Sequence, residues 1–258
     1  MSERQPIFNA PGVVVAVLGA LVAVFLAVDP TWGLLPVETR MWLFVVLAFI
    51  PERLGDAADS LPGGRLAAAT QFVTHVFVHG DIMHLAINAS WLLAMGTPVA
   101  RRLGTVRFLA FFFLCGVGGA VFFLPFSAAP MVGASGAISG LMGGALRFVL
   151  GPLTDGSPEP LASKVGHAAL LSLRDTLTDR RMLIGIGVWV VLNVVAGLAL
   201  PSILDGVSIA WEAHLGGFFV IALPILLGWA GFSEVDGAER KCRFRSATFL
   251  SFDTEEKR

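Results

Sequence analysis

Four polar residues in this sequence carry groups that can exchange protons or hydrogen bonds with a substrate. Ser135 lies in the Gly-Ala-Ser-Gly segment at 133–136, at the start of an apolar run. His214 lies in a later apolar run, and His84 and Asn88 are four residues apart in an earlier one. On a helix, that spacing puts His84 and Asn88 on the same face. These side chains can act together only if the fold brings the three runs into contact.

Each of these residues also has a structural interpretation. Small residues such as Ser135 mostly serve close packing in membrane helices. A single buried histidine often only satisfies its own surroundings, and Asn88 could bridge two helices. Alternatively, His75, His79 and His84 could bind zinc, although the sequence lacks a His-Glu-x-x-His motif and a supporting carboxylate pattern.

The composition predicts that membrane helices position these residues. Hydrophobic residues make up 55% of the 258 residues and charged residues 14%, whereas soluble domains carry about 25% charge. Apolar runs of about 20 residues recur, which is the length that crosses a bilayer. We therefore expect an all-α polytopic membrane protein in a lipid bilayer. No basic patch suggests a nucleic-acid partner, and Cys115 and Cys242 are poor disulfide candidates because they fall in different surroundings.

Six apolar runs divide the chain. The predicted spans are 11–28, 78–98, 108–123, 135–150, 182–200 and 207–229. The remaining segments are a polar start at 1–10, a polar insert at 151–181 with an amphipathic helix near 161–177, and a charged tail at 231–258. The long connection 29–70 contains an apolar piece at 41–50. This piece is too short to cross and is therefore expected to be interfacial or re-entrant.

Lysines and arginines predict the orientation, because they are enriched on the cytosolic side of a membrane protein. With the N-terminus inside, 15 of the 18 Lys and Arg residues fall in segments that face the cytosol. The outer segments hold only Arg40, Arg53 and Arg65. We therefore expect both termini and the 151–181 insert in the cytosol.

The four polar residues are expected to lie at one depth, below the outer face. His214 and His84 each fall about seven residues into their spans, or ~10 Å at 1.5 Å per residue. The fourth span is roughly 24 Å long against a hydrocarbon core of about 30 Å, so its outer end at Ser135 is recessed. Such a layer requires a water-filled cavity, because unpaired polar groups are costly in lipid.

Small residues on the fourth and sixth spans predict a close approach of these two helices. They are Gly136, Gly140 and Gly144 on the fourth span, and Ala213 and Gly217 on the sixth. Small residues spaced by four let helix backbones nearly touch. This contact would bring Ser135 within reach of His214.

Three motifs, in their order and on these spans, resemble the rhomboid family of intramembrane serine proteases. They are Gly-Ala-Ser-Gly at 133–136, His84-x-x-x-Asn88 within 79–88, and Ala-His-Leu-Gly-Gly at 213–217. Arg-Leu-Gly at 102–104 also fits. The resemblance covers roughly residues 10–230. It implies a six-span helix bundle of the rhomboid type at 11–230, with a long, partly embedded first outer loop.

The resemblance implies a catalytic dyad in which Ser135 is the nucleophile and His214 the general base. A serine hydroxyl is a weak nucleophile until a neighbouring base takes its proton. The tetrahedral oxyanion then needs preorganised donors. Asn88, His84 and the backbone N–H of Ser135 are implied to supply them. No metal or other cofactor is implied.

The implied substrates are transmembrane segments of other proteins, cut near the outer face. Gly133 and Gly136 would leave the backbone open to a substrate strand, since glycine has no side chain. Trp189 in the fifth span and the long outer loop are expected at the substrate entry. Gly or Pro in the substrate would ease the unwinding that cleavage requires. A bacterial inner membrane is the expected location, and the sequence does not predict the oligomeric state.

The sequence departs from the family pattern at two places. Many members carry a Trp-Arg pair in the first outer loop, where this chain has Thr70 and Gln71. The family often has an aromatic residue four positions after the nucleophile, packed on the base, where this chain has Ser139. A tryptophan, Trp189 or Trp211, or a phenylalanine could support the base instead.

Two other functions fit parts of the sequence. A non-catalytic membrane binding protein or chaperone could use the same scaffold, but the presence of all the Ser, His and Asn residues argues against it. A small transporter or channel is disfavoured because no segment is repeated and few charges lie at mid-membrane depth.

Overall fold

Helices make up all the regular structure of the described part of the chain. The computed structural model describes residues 10–29, 31, 33–153, 173–203 and 209–220. Within these ranges, the sole β-type pairing is an isolated antiparallel bridge between Phe49 and Met131. The predicted all-α class is thus confirmed. The predicted polar start, the central part of the 151–181 insert and the tail lie outside the described residues.

Nine α-helices follow one another in these ranges. They are α1 Gly12–Val28, α2 Val37–Leu47, α3 Gly64–Thr74, α4 Ile82–Trp91, α5 Thr97–Phe123, α6 Ser135–Leu153, α7 Leu173–Thr178, α8 Arg180–Ile203 and α9 Trp211–Phe219. A five-residue π-helical segment, Leu92–Gly96, joins α4 to α5. Short 3₁₀ turns lie at Pro51–Leu54, Asp56–Asp59 and His75–Phe77.

Two helical runs of the described residues are long and apolar enough to cross a membrane: Ile82–Phe123 and Arg180–Ala199. The first has 42 residues, or ~63 Å if straight, about twice the thickness of a hydrocarbon core. It therefore includes most of the predicted span 78–98 and all of the predicted span 108–123. The complete six-span bundle stays a prediction, since α1 is shorter and much of the sixth span lies outside the described residues.

Gly104 divides the long run into two legs. Its φ of 71° and ψ of 172° are not helical, and glycine adopts positive φ without the steric cost that a side chain would add. The chain turns back there. The evidence is the contact between Gly96 and the ring of Phe108, since a Cβ built on Gly96 would lie 3.6 Å from this ring. Val99 and Phe111 both lie against Gly144 of α6. Two legs of a helical hairpin thus pack on the same neighbour.

Aspartate caps determine where two helices begin. One begins later, and the other earlier, than its apolar run predicts. The predicted second span begins at 78, but α4 begins at Ile82, because the Asp81 carboxylate accepts a hydrogen bond from the backbone N–H of His84 at 2.8 Å. The Asp179 carboxylate accepts from the N–H groups of Arg181 and Met182 at 2.8 and 3.1 Å. α8 therefore begins at Arg180, two residues before the predicted start. A side-chain oxygen satisfies the amides that a helix start leaves free.

The first outer loop folds around the side chain of Arg53. This side chain is fully buried, and its guanidinium donates to the carbonyl oxygens of Ala48, Val45 and Pro62 at 3.0, 2.6 and 3.2 Å. Burial lowers the pKa of Arg53, but an arginine remains charged near neutral pH. Gln71 ties the same loop down, because its Oε1 accepts from the N–H of Ile50 at 2.9 Å. This is one of the two positions that depart from the family pattern.

The core surrounds α6. Ala137, Ile138 and Leu141 of α6, with Ala134 just before it, form one buried cluster with α1 and both legs of the α4–α5 hairpin. α2, at 11 residues, is only ~17 Å long, in agreement with the expectation that 41–50 does not cross. The core therefore holds the first turn of α6, where Ser135 lies.

Candidate active site

The first turn of α6 lies directly against α9. A Cβ added to Gly136 would lie 3.1 Å from the carbonyl oxygen of Ala213, and one added to Gly140 would lie 2.8 Å from that of Gly217. Gly217 in turn contacts the carbonyl oxygen of Gly136. Only residues without side chains allow this approach. The predicted close packing of these two helices is thus present, at the positions next to Ser135 and His214.

One member of the predicted glycine stripe faces another helix. Gly144 packs against Phe111 and Val99 of α5, whereas Gly143 packs against Phe218 of α9. The reason is helical geometry: residues four apart are rotated by about 40°, so that position 144 is turned by about 80° from 136. The stripe toward α9 is therefore Gly136, Gly140 and Gly143.

The segment that leads into Ser135 is held by backbone hydrogen bonds. Met131 and Phe49 exchange both of their backbone bonds, at 2.8 and 2.9 Å, and the N–H of Gly133 donates to the carbonyl oxygen of His75 at 2.9 Å. Gly133 has a φ of 114°, a conformation that side chains disfavour. The first loop and the 3₁₀ turn at His75 thereby fix the position at which α6 begins.

His84 and Asn88 lie beside Gly133, two residues before Ser135. A Cβ on Gly133 would lie 2.6 Å from Nε2 of His84 and 3.9 Å from Nδ2 of Asn88. Asn88 is buried and donates one Nδ2 hydrogen to the carbonyl oxygen of His84 at 3.0 Å, so its second hydrogen is directed elsewhere. The ring of His79 lies edge-on to that of His84, with centroids 5.0 Å apart. Both predicted donor side chains thus reach the α6 entry.

His214 has a hydrogen-bond partner that the sequence reasoning missed. Its Nδ1 lies 2.8 Å from Oδ1 of Asn193 on α8. Asn193 also donates from Nδ2 to the carbonyl oxygen of Trp189 at 2.9 Å. The available signal was a lone amide in an apolar span, because intramembrane polar residues usually face a partner.

α8 contacts α9 along one stripe, with Asn193 in the middle. Trp189 stacks on Phe218, one turn past His214, with centroids 4.2 Å apart and an interplanar angle of 18°. Gly197 lies against the ring of Trp211. Ser139, where an aromatic support was expected, is a buried residue of α6. Trp189 thus occupies the α8–α9 contact. Its expected role in substrate entry stays a prediction.

The described residues provide few ligands for a metal. Among them, no group of three or more His, Cys, Asp or Glu side chains is arranged to hold an ion. His75, one member of the alternative zinc set, is buried and has its Nδ1 2.8 Å from the carbonyl oxygen of Gln71. Since a carbonyl only accepts, Nδ1 carries the proton. Burial lowers the pKa of His75 to about 4, so this side chain is neutral near pH 7.

Known proteins resemble most of this chain. A family model described as Rhomboid domain matches residues 67–230. The Rhomboid protease GluP of Bacillus subtilis (strain 168) is 39% identical over 80 residues, which cover 31% of this chain and 16% of that protein. RHOMBOID-like protein 12, mitochondrial, of Arabidopsis thaliana is 28% identical over 225 residues, which cover 80% of this chain and 56% of that protein. The chain thus spans between 16% and 56% of the length of these two curated relatives.

Proposed function

This chain belongs to the rhomboid family and is an integral membrane protein, and we propose that it is an intramembrane serine endopeptidase. Its substrates in this proposal are transmembrane segments of other membrane proteins, cut near the outer face. The proposal includes six spans, both termini in the cytosol and a bacterial inner membrane as the location. It assigns the chemistry to the first turns of α6 and α9.

The contact between Gly136 and Ala213 carries the proposal. Gly136 directly follows Ser135, and Ala213 directly precedes His214. A Cβ on Gly136 would lie 3.1 Å from the carbonyl oxygen of Ala213, which is closer than a side chain normally comes. A hydroxyl and an imidazole on adjacent positions of two touching helices are well placed to share a proton. Both residues are half-buried, so neither is sealed inside the protein.

In the proposed reaction, Nε2 of His214 takes the proton of the Ser135 hydroxyl while Oγ attacks the scissile carbonyl carbon. The imidazolium then returns the proton to the leaving amine, which departs with the C-terminal fragment. Water, deprotonated by the same imidazole, attacks the acyl ester. The imidazolium then returns this proton to Oγ of Ser135 as the ester bond breaks, and the N-terminal fragment leaves as a carboxylic acid, which ionises. General-base catalysis of this kind typically contributes 10²–10⁴-fold to the rate.

The oxyanion would form beside Gly133, where two side chains and a helix start provide donors. Nδ2 of Asn88 retains one hydrogen after its bond to His84. The helical hydrogen bonds of α6 include one from Ile138 to Ala134, so the N–H of Ser135 precedes the ladder, as at every helix start. The positive end of the helix dipole adds to the stabilisation of the anion.

The decisive test is cleavage of a model transmembrane substrate in proteoliposomes. We expect Ser135→Ala and His214→Ala each to abolish cleavage, with unchanged folding and thermal stability. Ser90→Ala is the matched control, because the Ser90 hydroxyl is exposed and only bonds the carbonyl oxygen of Ala86. A fluorophosphonate should label the wild type and the control, but not Ser135→Ala.

Two results would contradict the proposal. Cleavage that persists in Ser135→Ala would exclude this nucleophile. A wild-type protein that binds the substrate segment without cleaving it or reacting with the probe would instead support a non-catalytic binding protein.

A further inference from the structure

The side chain of Asn193 links the backbone of α8 to the imidazole of His214. Its Nδ2 donates to the carbonyl oxygen of Trp189 at 2.9 Å, and its Oδ1 lies 2.8 Å from Nδ1 of His214. Both residues are half-buried, where a hydrogen bond is stronger than in bulk water.

These two contacts determine which way the amide faces. A backbone carbonyl only accepts, so the group that faces Trp189 must be the amide nitrogen. The amide oxygen then faces His214, and an oxygen of this kind also only accepts. Nδ1 of His214 must therefore carry a proton.

The proton on Nδ1 determines the state of the other ring nitrogen. In a neutral imidazole one nitrogen donates and the other accepts. With the proton on Nδ1, the free lone pair is on Nε2, which is the form that a general base requires. In serine proteases with a triad, a buried carboxylate performs this task, and the wrong tautomer costs most of the activity.

We propose that Asn193 is a positioning residue that holds His214 in its Nδ1–H tautomer, with Nε2 directed toward Ser135. This inference rests on the proposed function, in which His214 is the base. It also accounts for a catalytic histidine without an aromatic residue at Ser139.

Contacts on both sides of Asn193 keep it in register with His214. Four residues before it, Trp189 stacks on Phe218, and four residues after it, Gly197 lies against Trp211. These pairs follow one face of α8, since residues four apart are neighbours on a helix. Sliding of α8 along α9 would disrupt all three contacts together.

Three variants test the role by steady-state kinetics. Asn193→Leu has a similar volume but no acceptor, and we expect kcat to fall by about ten- to a hundredfold with KM nearly unchanged. Asn193→Asp keeps an acceptor for Nδ1 but loses the bond from Nδ2 to the carbonyl oxygen of Trp189, and we expect a smaller fall in kcat than in Asn193→Leu. Leu192→Ala is the matched control, because the side chain of Leu192 neighbours Asn193 in the chain but is 62% exposed. We expect no change in kcat.

Imidazole ¹⁵N NMR provides a readout independent of cleavage. The chain has only five histidines, so that the signals of His214 can be assigned from the spectrum of His214→Gln. We expect a protonated Nδ1 and an unprotonated Nε2 in the wild type and in Ser135→Ala. Asn193→Leu should lose this preference.

The outcomes separate this inference from the proposed function. If Ser135→Ala abolishes cleavage but Asn193→Leu changes neither kcat nor the tautomer, only the positioning role is wrong. An Nε2–H tautomer in the wild type would also overturn it, even if Asn193→Leu fails to fold. Persistent cleavage in Ser135→Ala would instead refute the dyad itself.

Discussion

The carbonyl group of Gly136 lies directly against the Cα of Gly217, and there is no room for a side chain between them. A Cβ on Gly217 would lie 2.6 Å from the carbonyl carbon of Gly136. Both atoms belong to helix backbones, so that α6 and α9 would have to separate. We expect Gly217→Ala to cost about 1–3 kcal/mol of stability, as overpacking does, and to lower cleavage at least tenfold.

Gly187→Ala is the matched control for this substitution. A Cβ at Gly187 of α8 meets nothing within 4 Å, and alanine favours a helix over glycine by about 0.5–1 kcal/mol. We expect equal or higher thermal stability and unchanged cleavage. Thermal inactivation in detergent and cleavage in proteoliposomes measure both effects. Wild-type stability and cleavage in Gly217→Ala would mean that α6 and α9 are not in backbone contact at Gly136 and Gly217.

Gly133→Ala should disturb His84 specifically. The new Cβ would lie 2.6 Å from Nε2 of His84, at a φ of 114°. We expect kcat to fall about tenfold or more, because His84, a proposed oxyanion donor, is displaced. Gly80→Ala, which has nothing within 4 Å of its Cβ, should leave kcat unchanged.

A double-mutant cycle identifies the cause of this loss. If Gly133→Ala acts by moving His84, it should add little to the loss of kcat already caused by His84→Ala, since the effects of substituting two residues in contact are not additive. If the two substitutions instead raise the activation free energy by fully additive amounts, Gly133 acts through the backbone and not through His84.

Arg53 and Arg65 are expected to differ sharply in their importance for the first loop. Arg53→Met leaves one buried and two partly buried carbonyl oxygens without their charged donor, and we expect a loss of about 3 kcal/mol or more in the free energy of unfolding. Arg65 pairs with Asp59 at 2.9 Å, but both side chains are largely exposed, and exposed pairs contribute little. Arg65→Met should therefore leave the midpoint of thermal inactivation nearly unchanged. Similar losses for both would contradict the buried role of Arg53.

His75 should make stability depend on pH. Burial lowers its pKa from 6.5 to about 4. The unfolded chain therefore binds a proton at this site that the folded protein does not, between about pH 6.5 and pH 4. Above pH 6.5 this histidine is neutral in both states and does not lower the free energy of unfolding. As the pH falls from 6.5 toward 4, the free energy of unfolding decreases.

The measurement compares thermal inactivation of the wild type and His75→Gln at pH 7.5 and pH 4.5. The wild type should lose more stability than the variant over this interval. Equal losses would show that other groups, and not His75, determine the acid sensitivity.

The sequence predicted much of this fold because apolar length and small-residue spacing are local signals. The contact of Gly136 with Ala213 follows from such spacing. The break at Gly104 does not, since glycine is common inside membrane helices and only the packing of both legs on α6 reveals the turn. The orientation of Gly144 was wrong because a spacing of four drifts around a helix of 3.6 residues per turn.

The site shows the same division between local and long-range information. His84 and Asn88 share a helix face, so their joint position beside Gly133 could be anticipated. The pairing of Asn193 with His214 depends on the register of α8 against α9, and no spacing within either helix encodes that register. The missing aromatic residue at Ser139 indicated that His214, the predicted base, needs another support, but not where it would come from.

The stripe of α8 that holds Asn193 has a consequence for the surroundings of the protein. Met182 is the one buried residue of Arg180–Ala199 in α8, and the side chains of Leu192 and Leu198 are 62% and 66% exposed. Acyl chains would therefore form most of the environment of α8, the helix whose Asn193 contacts His214. Bilayers of different hydrophobic thickness tilt such a helix. Under the proposed function, lipid chain length would therefore alter how His214 is held, because the helix that carries Asn193 would tilt with the thickness of the bilayer.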